Sequence, residues 1–195
     1  MNADRLLEAR LTLVRVCWLI LPVVLAGVGH VAALKMNLLR PLAVPIDRGA
    51  CWRGRQVFGS NKTWRGFVLM TALSALATGL QARLAQRRRW LAVADVAGDA
   101  RVNPWMAGAL SGLTYCLAEL PNSFVKRRIG IVPGTYTTSL QYLIDQTDSV
   151  AGCVLALRLI YRPSRREVVL SFALGMAIHI AIDQLMYAIG VKRRR

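Results

Sequence analysis

Apolar residues run almost unbroken from Val16 to Leu34, and a hydrocarbon core about 30 Å thick asks for roughly 20 such residues per helical span. Further apolar stretches lie at 66–84, 105–120, 140–161 and 168–191. The third ends at Glu119, and the fourth reaches full length only by including Asp145 and Asp148. Short or polar-ended spans predict tilt or a wet cavity between helices. The pattern therefore predicts an all-α polytopic membrane protein, a single integral domain over 1–195 with five transmembrane helices joined by polar loops. The first run continues past any small-residue cleavage site, so it is expected to be a retained span rather than a signal peptide. The stretch 83–104 reads as a solvated connector, and no internal repeat is visible.

Composition sharpens the picture. A chain of 195 residues that is 55% hydrophobic, with a mean hydropathy of +0.40, is too apolar for a soluble domain of its size. Yet 26 Lys and Arg face only 10 Asp and Glu, a formal charge of +16. Basic segments beside membrane spans suit anionic lipid headgroups and phosphorylated substrates, and nucleic acid is not the expected partner. Cys17, Cys51, Cys116 and Cys153 show no paired spacing and read as packing residues. Trp18, Trp64, Trp90 and Trp105 sit near span ends, as interfacial anchors do. With five spans, the loop 35–65, the cations Lys126, Arg127 and Arg128 and the tail 192–195 share one face. That face holds slightly over half of the basic residues and is placed in the cytoplasm.

Candidate chemistry lies in those loops. The first contains Pro45-Ile46-Asp47, Gly54-Arg55 and Gly59-Ser60-Asn61-Lys62-Thr63-Trp64-Arg65-Gly66. It is not a P-loop: the glycines sit one residue early and no strand precedes them. Its glycines would let backbone N–H groups approach an anion, with Arg55, Lys62 and Arg65 adding charge; alternatively the loop lies on lipid headgroups. The other loop runs from Glu119 through Ser123, Lys126, Arg127 and Arg128 to Asp145-Gln146-Thr147-Asp148. On a helix, Asp145 and Asp148 share a face with Cβ atoms ~5–6 Å apart, and with Glu119 they form a candidate Mg²⁺ set. The competing reading is that both carboxylates cap a helix N-terminus. His179 and Asp183, four residues apart in the last span, are expected to face inward together, for function or to lock the bundle.

With these segments in view, the sequence resembles the CDP-archaeol synthase family, itself similar to phosphatidate cytidylyltransferase. Three blocks carry the likeness: Pro45-Ile46-Asp47 with Gly59-x-Asn61-Lys62-Thr63-Trp64-Arg65-Gly66, then Ser123-Phe124-x-Lys126-Arg127-Arg128, then Asp145-Gln146-x-Asp148-Ser149. The resemblance implies five transmembrane helices, a cytoplasmic active site in an inner (cytoplasmic) membrane, Mg²⁺ as cofactor and CTP as donor. Two departures stand out: Ala118-Glu119 where archaeal members carry Gly-Asp, and Asp183 where an amide is expected.

The implied reaction converts a glycerol-phosphate lipid and CTP to a CDP-lipid and pyrophosphate. Asp145, Asp148, Lys126 and Lys62 are the candidate catalytic residues, with Asp145, Asp148 and Glu119 as metal ligands. Asp47, Arg55, Asn61, Thr63, Arg65, Ser123, Arg127 and Arg128 are the candidate substrate-binding residues. The spans themselves look like unspecific Leu, Val, Ala and Ile surface, so the loops are expected to supply the selectivity. The rival reading is a non-catalytic transporter or assembly subunit, with ions passing His179 and Asp183, or a degenerate homologue that binds nucleotide without turnover. Oligomeric state is not legible.

Overall fold

A computed structural model describes residues 3–88, 91 and 102–190. The tail 191–195, Trp90 and most of the connector 83–104 lie outside the described residues. Five helices dominate: α1 (Ala3–Lys35), α2 (Trp64–Arg87), α3 (Pro104–Arg128), α4 (Ser139–Tyr161) and α5 (Arg165–Ala188). Between α1 and α2, a 3₁₀ turn (Arg40–Leu42) precedes a small antiparallel hairpin of β1 (Cys51–Trp52) and β2 (Arg55–Gln56). Local chemistry sets the helix starts. Thr63, Asn103, Thr138 and Ser164 are N-caps whose side chains accept a backbone N–H from the first turn, and Ser164 forms a reciprocal capping box with Glu167.

By length and composition α1, α2 and α5 are each apolar enough to cross a membrane. Large apolar side chains such as Leu25, Leu80, Leu155, Leu159, Val169 and Leu185 are exposed around the girth, as a lipid-facing surface requires. The chain is thus a multi-pass helical membrane protein. α3 and α4 carry polar residues within their length, and several of these, among them Ser111, Ser123, Gln146 and Ser149, are buried.

Neighbouring helices run antiparallel, shown by Gln81 donating to the carbonyl of Trp18 (2.7 Å) and Lys126 reaching Asp145. Loop 36–63 and loop 129–138 therefore meet at one end of the bundle, with Arg55 bonded to the carbonyls of Arg127 and Arg128. One expectation is corrected here. α3 does not stop at Glu119 but continues through Pro121 to Arg128, so Ser123, Lys126, Arg127 and Arg128 stand on a helix rather than in a loop. Proline forfeits one backbone hydrogen bond, and side-chain bonds from Asn122 and Lys126 to α4 tie down the turns that follow.

The closest helix pair is α2 with α3. Helices in lipid gain nothing from expelling water, so they associate through backbone proximity at small residues. Gly108 and Gly112, spaced as G-x-x-x-G, do this: a Cβ on Gly108 would lie 2.3 Å from the carbonyl oxygen of Ser74, and one on Gly112 2.3 Å from that of Met70. Backbone cannot step aside as a flexible side chain can. Gly112→Ala is therefore expected to destabilise the bundle by about 1–3 kcal/mol, read as a lower Tm in detergent. An unchanged Tm would mean that α2 and α3 are not in backbone contact.

Candidate active site

Between the helices, and open toward the two loops, lies a cavity of about 620 Å³. Loop one contributes Asn61, Lys62 and Thr63, α3 contributes Glu119, Asn122, Ser123, Lys126 and Arg127, and α4 contributes Asp145 and Asp148. Nine of the residues singled out from the sequence are thus brought together: Asn61, Lys62, Thr63, Glu119, Ser123, Lys126, Arg127, Asp145 and Asp148.

The carboxylates are held by specific donors. Asn122 Nδ2 donates to Asp145 Oδ1 (2.7 Å) and to Asp148 Oδ2 (2.8 Å), so both acids converge on one nitrogen. Lys126 Nζ donates to the other oxygen of Asp145 at 2.5 Å. Glu119 pairs with Lys62 and accepts from Ser149 Oγ at 2.7 Å. That hydroxyl also lies 3.1 Å from Asp148 Oδ1, linking the two acidic positions. The helix-cap reading of Asp145 and Asp148 does not hold: Thr138 caps α4, accepting from Gln141 N at 3.1 Å, and Asp145 comes only in the second turn. Lys62 sits in the loop just before α2; desolvation lowers its pKa, but the charge of Glu119 outweighs this and holds it above the ordinary lysine value. It is therefore an ammonium at neutral pH.

Arg127 differs from its neighbours. It is only 6% exposed, yet its Nε and Nη1 have no hydrogen-bond partner. A buried guanidinium with free donors is costly in isolation, and here it lines the cavity as a ready site for an anion. Gly59, at φ +103°, makes room for it, since a Cβ there would fall 2.8 Å from Arg127 Nη1.

Four candidates do not line the cavity. Arg128 donates to the carbonyls of Trp52, Arg55 and Gln56 and stacks over Trp52 and Phe124, clamping the hairpin to α3. Arg55 answers from the other side, donating to the carbonyls of Arg127 (3.4 Å) and Arg128 (2.5 Å) at the negative end of the α3 dipole. Asp47 accepts from the backbone N–H groups of Gly49 (3.0 Å), Phe58 (2.9 Å) and Gly59 (3.4 Å). Partial burial raises its pKa, but these N–H donors outweigh it and hold the acid below the ordinary carboxylate value. Arg65 points away toward Asn37, with Nη1 3.5 Å from its side-chain oxygen.

Sequence reasoning passed over Asn122 and Tyr115, and gave Ser149 no role. The one available clue was spacing: once α3 runs past Pro121, Asn122 and Lys126 stand four apart on one face. Tyr115 bonds to His179 Nε2 at 2.9 Å, and His179 Nδ1 to the carbonyl of Gln146 at 3.0 Å. A carbonyl only accepts, so Nδ1 carries a proton and donates to it. His179 and Asp183 both line the cavity. With both ring nitrogens engaged, His179 ties α3, α4 and α5 together.

As for a metal, no three carboxylate, imidazole or thiolate ligands share one point among the described residues. The converging pair Asp145 and Asp148 beside an amide is nevertheless a hard-oxygen donor set, which suits Mg²⁺ completing its shell with water and phosphate oxygens. Glu119 pairs with Lys62 and is joined to Asp148 through the hydroxyl of Ser149.

Comparison with known proteins agrees with this architecture. The family model described as CarS-like, CDP-archaeol synthase, matches residues 9–194. The CDP-archaeol synthase of Methanosphaerula palustris is 35% identical over 168 residues, covering 76% of this chain and 87% of that one. That of Methanopyrus kandleri is 31% identical over 183 residues, covering 90% and 88%. A solved intramembrane enzyme for archaeal membrane lipids biosynthesis superposes with a TM-score of 0.60 at 25% identity, over 86% of this chain and 91% of that one. From its first helix to its last, this chain belongs to the CarS-like CDP-archaeol synthase family.

Proposed function

We propose that this chain is a CTP-dependent cytidylyltransferase that converts a glycerol-phosphate lipid to a CDP-lipid. The observation that carries the reading is the cavity, in which Arg127, with Nε and Nη1 free of hydrogen bonds, and a cluster of paired charges share one space with apolar helix walls. Such a site can receive a triphosphate and the polar end of a membrane lipid together. Family membership supplies the reaction class.

In the proposed reaction an oxygen of the lipid phosphate attacks the α-phosphorus of CTP. The new P–O bond forms as the bond to the β-phosphate bridging oxygen breaks, and pyrophosphate leaves. A phosphate monoester is already largely ionised at neutral pH, so no general base is required. Arg127 and Lys126, toward the loop end of α3, take the triphosphate. Lys62, which reaches deeper to Glu119, takes the lipid phosphate next to the apolar walls. Asn61, Thr63 and Ser123 line the same space as polar contacts. Bound Mg²⁺, held by Asp145 and Asp148, would supply charge neutralisation and polarise the reacting phosphoryl group. The loop end is assigned to the cytoplasmic face of the inner membrane because CTP is available there; the basic residues, slightly over half of them on that face, add little to the choice.

Purified protein with labelled CTP, Mg²⁺ and phosphatidate is expected to form CDP-lipid, and chelation should stop the reaction reversibly. Asp145→Asn and Asp148→Asn should each lower kcat by about 100-fold or more, with Tm retained. Near wild-type rates for both variants at saturating Mg²⁺ would remove these acids from the mechanism.

Lys62→Met tests the ion pair. It strands Glu119 and should cost on the order of 2–3 kcal/mol, below the ~3–5 of a fully buried pair, because the two side chains are 17% and 23% exposed. Adding Glu119→Gln should restore most of the Tm and leave turnover low. Recovery of both stability and turnover in the double variant would make the pair purely structural.

Topology is checked by labelling single engineered cysteines from either side of the membrane. Positions in loop one and near Ile129 should react only from the cytoplasm, and one near Asp4 only from outside. External reactivity near Ile129 would contradict the assigned orientation.

A further inference from the structure

The cavity does not end at the charged cluster. On α1 it is lined along one face by Ile20, Val24, Gly27, Val31 and Leu34, a run of ~21 Å at 1.5 Å per residue. On α5 it extends from Tyr187 to Ser171, ~24 Å by the same measure. Its charged groups gather at the loop end. Beyond the level of His30 and His179 the walls include Val24, Gly27, Val150, Val154 and Ile178, with the hydroxyl of Ser171 a polar group among them. At the deep end Ile20 and Cys153 line the cavity and belong to a packed cluster with Leu19 and Leu157, with Leu174 against it.

Gly27 is the unusual element of this wall. A glycine within a helix costs about 1 kcal/mol relative to alanine, and the common compensation is close approach of a neighbour. Gly108 and Gly112 have that compensation, and Gly175 has Val150 Cγ1 at 3.1 Å from where its Cβ would be. Gly27 has none: a Cβ there would meet no atom within 4 Å. It stands mid-way along the cavity-lining face of α1, so the missing side chain leaves volume in the cavity itself.

We propose that this apolar extension seats one hydrocarbon chain of the lipid phosphate, and that Gly27 is the residue that lets the chain pass to the deep end. The inference rests on the reaction proposed above and deepens it by making the spans, rather than only the loops, a determinant of substrate choice. A chain that leaves the bilayer for this pocket exchanges one apolar environment for another, so added methylenes contribute little affinity. What the walls do is exclude. A chain too bulky or too long for the free space is rejected, and a side chain placed at position 27 shortens that space.

The test compares dihexanoyl with dioleoyl phosphatidate on wild type, Gly27→Leu and Gly27→Phe, with Gly27→Ala and Tm as controls for folding. In Gly27→Phe, kcat/KM for the dioleoyl lipid is expected to fall at least tenfold, while that for the dihexanoyl lipid and the KM for CTP stay within twofold. Gly27→Leu should move in the same direction by less. Native mass spectrometry without CTP gives a second readout: wild type should retain dioleoyl phosphatidate, and Gly27→Phe should retain at least tenfold less. Unchanged turnover and retention of the long lipid, or an equal fall for both lipids in a folded variant, would overturn the chain pocket. Absence of CDP-lipid formation by wild type with every lipid phosphate would instead count against the proposed reaction, and the retention measurement would still decide on the pocket.

Discussion

Charge placed inside an apolar bundle must be neutralised where it stands, and this constraint organises the loop end of the molecule. Three carboxylates, Glu119, Asp145 and Asp148, lie between α3 and α4, and each is met by donors: Lys62 and Ser149, Lys126 and Asn122, then Asn122 and Ser149. These bonds hold α3 helical past Pro121, draw loop one inward through Lys62, and set the register between α3 and α4. The internal pairing also defines what a substrate has to do. An anion or a divalent cation entering this cluster meets groups already matched to its charge, and it exchanges with an internal partner rather than with bulk water. Arg127 is the cation whose Nε and Nη1 await such an exchange.

The basic residues divide into two kinds with different physics. Arg55 and Arg128 use their planar forks on main-chain carbonyls, pinning the hairpin to the end of α3; lysine could not reproduce that geometry. Lys62, Lys126 and Arg127 line the cavity instead. A run such as Lys126-Arg127-Arg128 therefore mixes scaffold with site, because consecutive helix positions face directions about a quarter turn apart.

Much of this was legible in the sequence. Hydrophobic runs located the five helices, and the Asp145/Asp148 spacing put two carboxylates on one face, where the structure has them converging on Asn122. Two things were hidden. Pro121 reads as a stop signal, and only the tertiary bonds of Asn122 and Lys126 carry the helix beyond it, so Asn122 could not be seen as the bridge between the acids. The apolar extension was hidden because it depends on which faces of α1, α4 and α5 turn toward one another. A glycine at position 27 says nothing of a cavity until it is known that no neighbour approaches it. Arg55, Asp47 and Arg128 were singled out for their charge; their bonds to backbone groups became apparent only when the hairpin was placed against α3.

The account places nucleotide and lipid phosphate in one cavity, with the metal at the meeting point of Asp145 and Asp148. The most direct measurement is an experimental structure of the protein with CTP and Mn²⁺, the metal located by its anomalous scattering. The account predicts one or two peaks against Asp145 and Asp148, where Asn122 Nδ2 now lies, and the triphosphate against Arg127 and Lys126. A metal peak remote from both acids, or nucleotide bound on the outer surface of the hairpin, would contradict it.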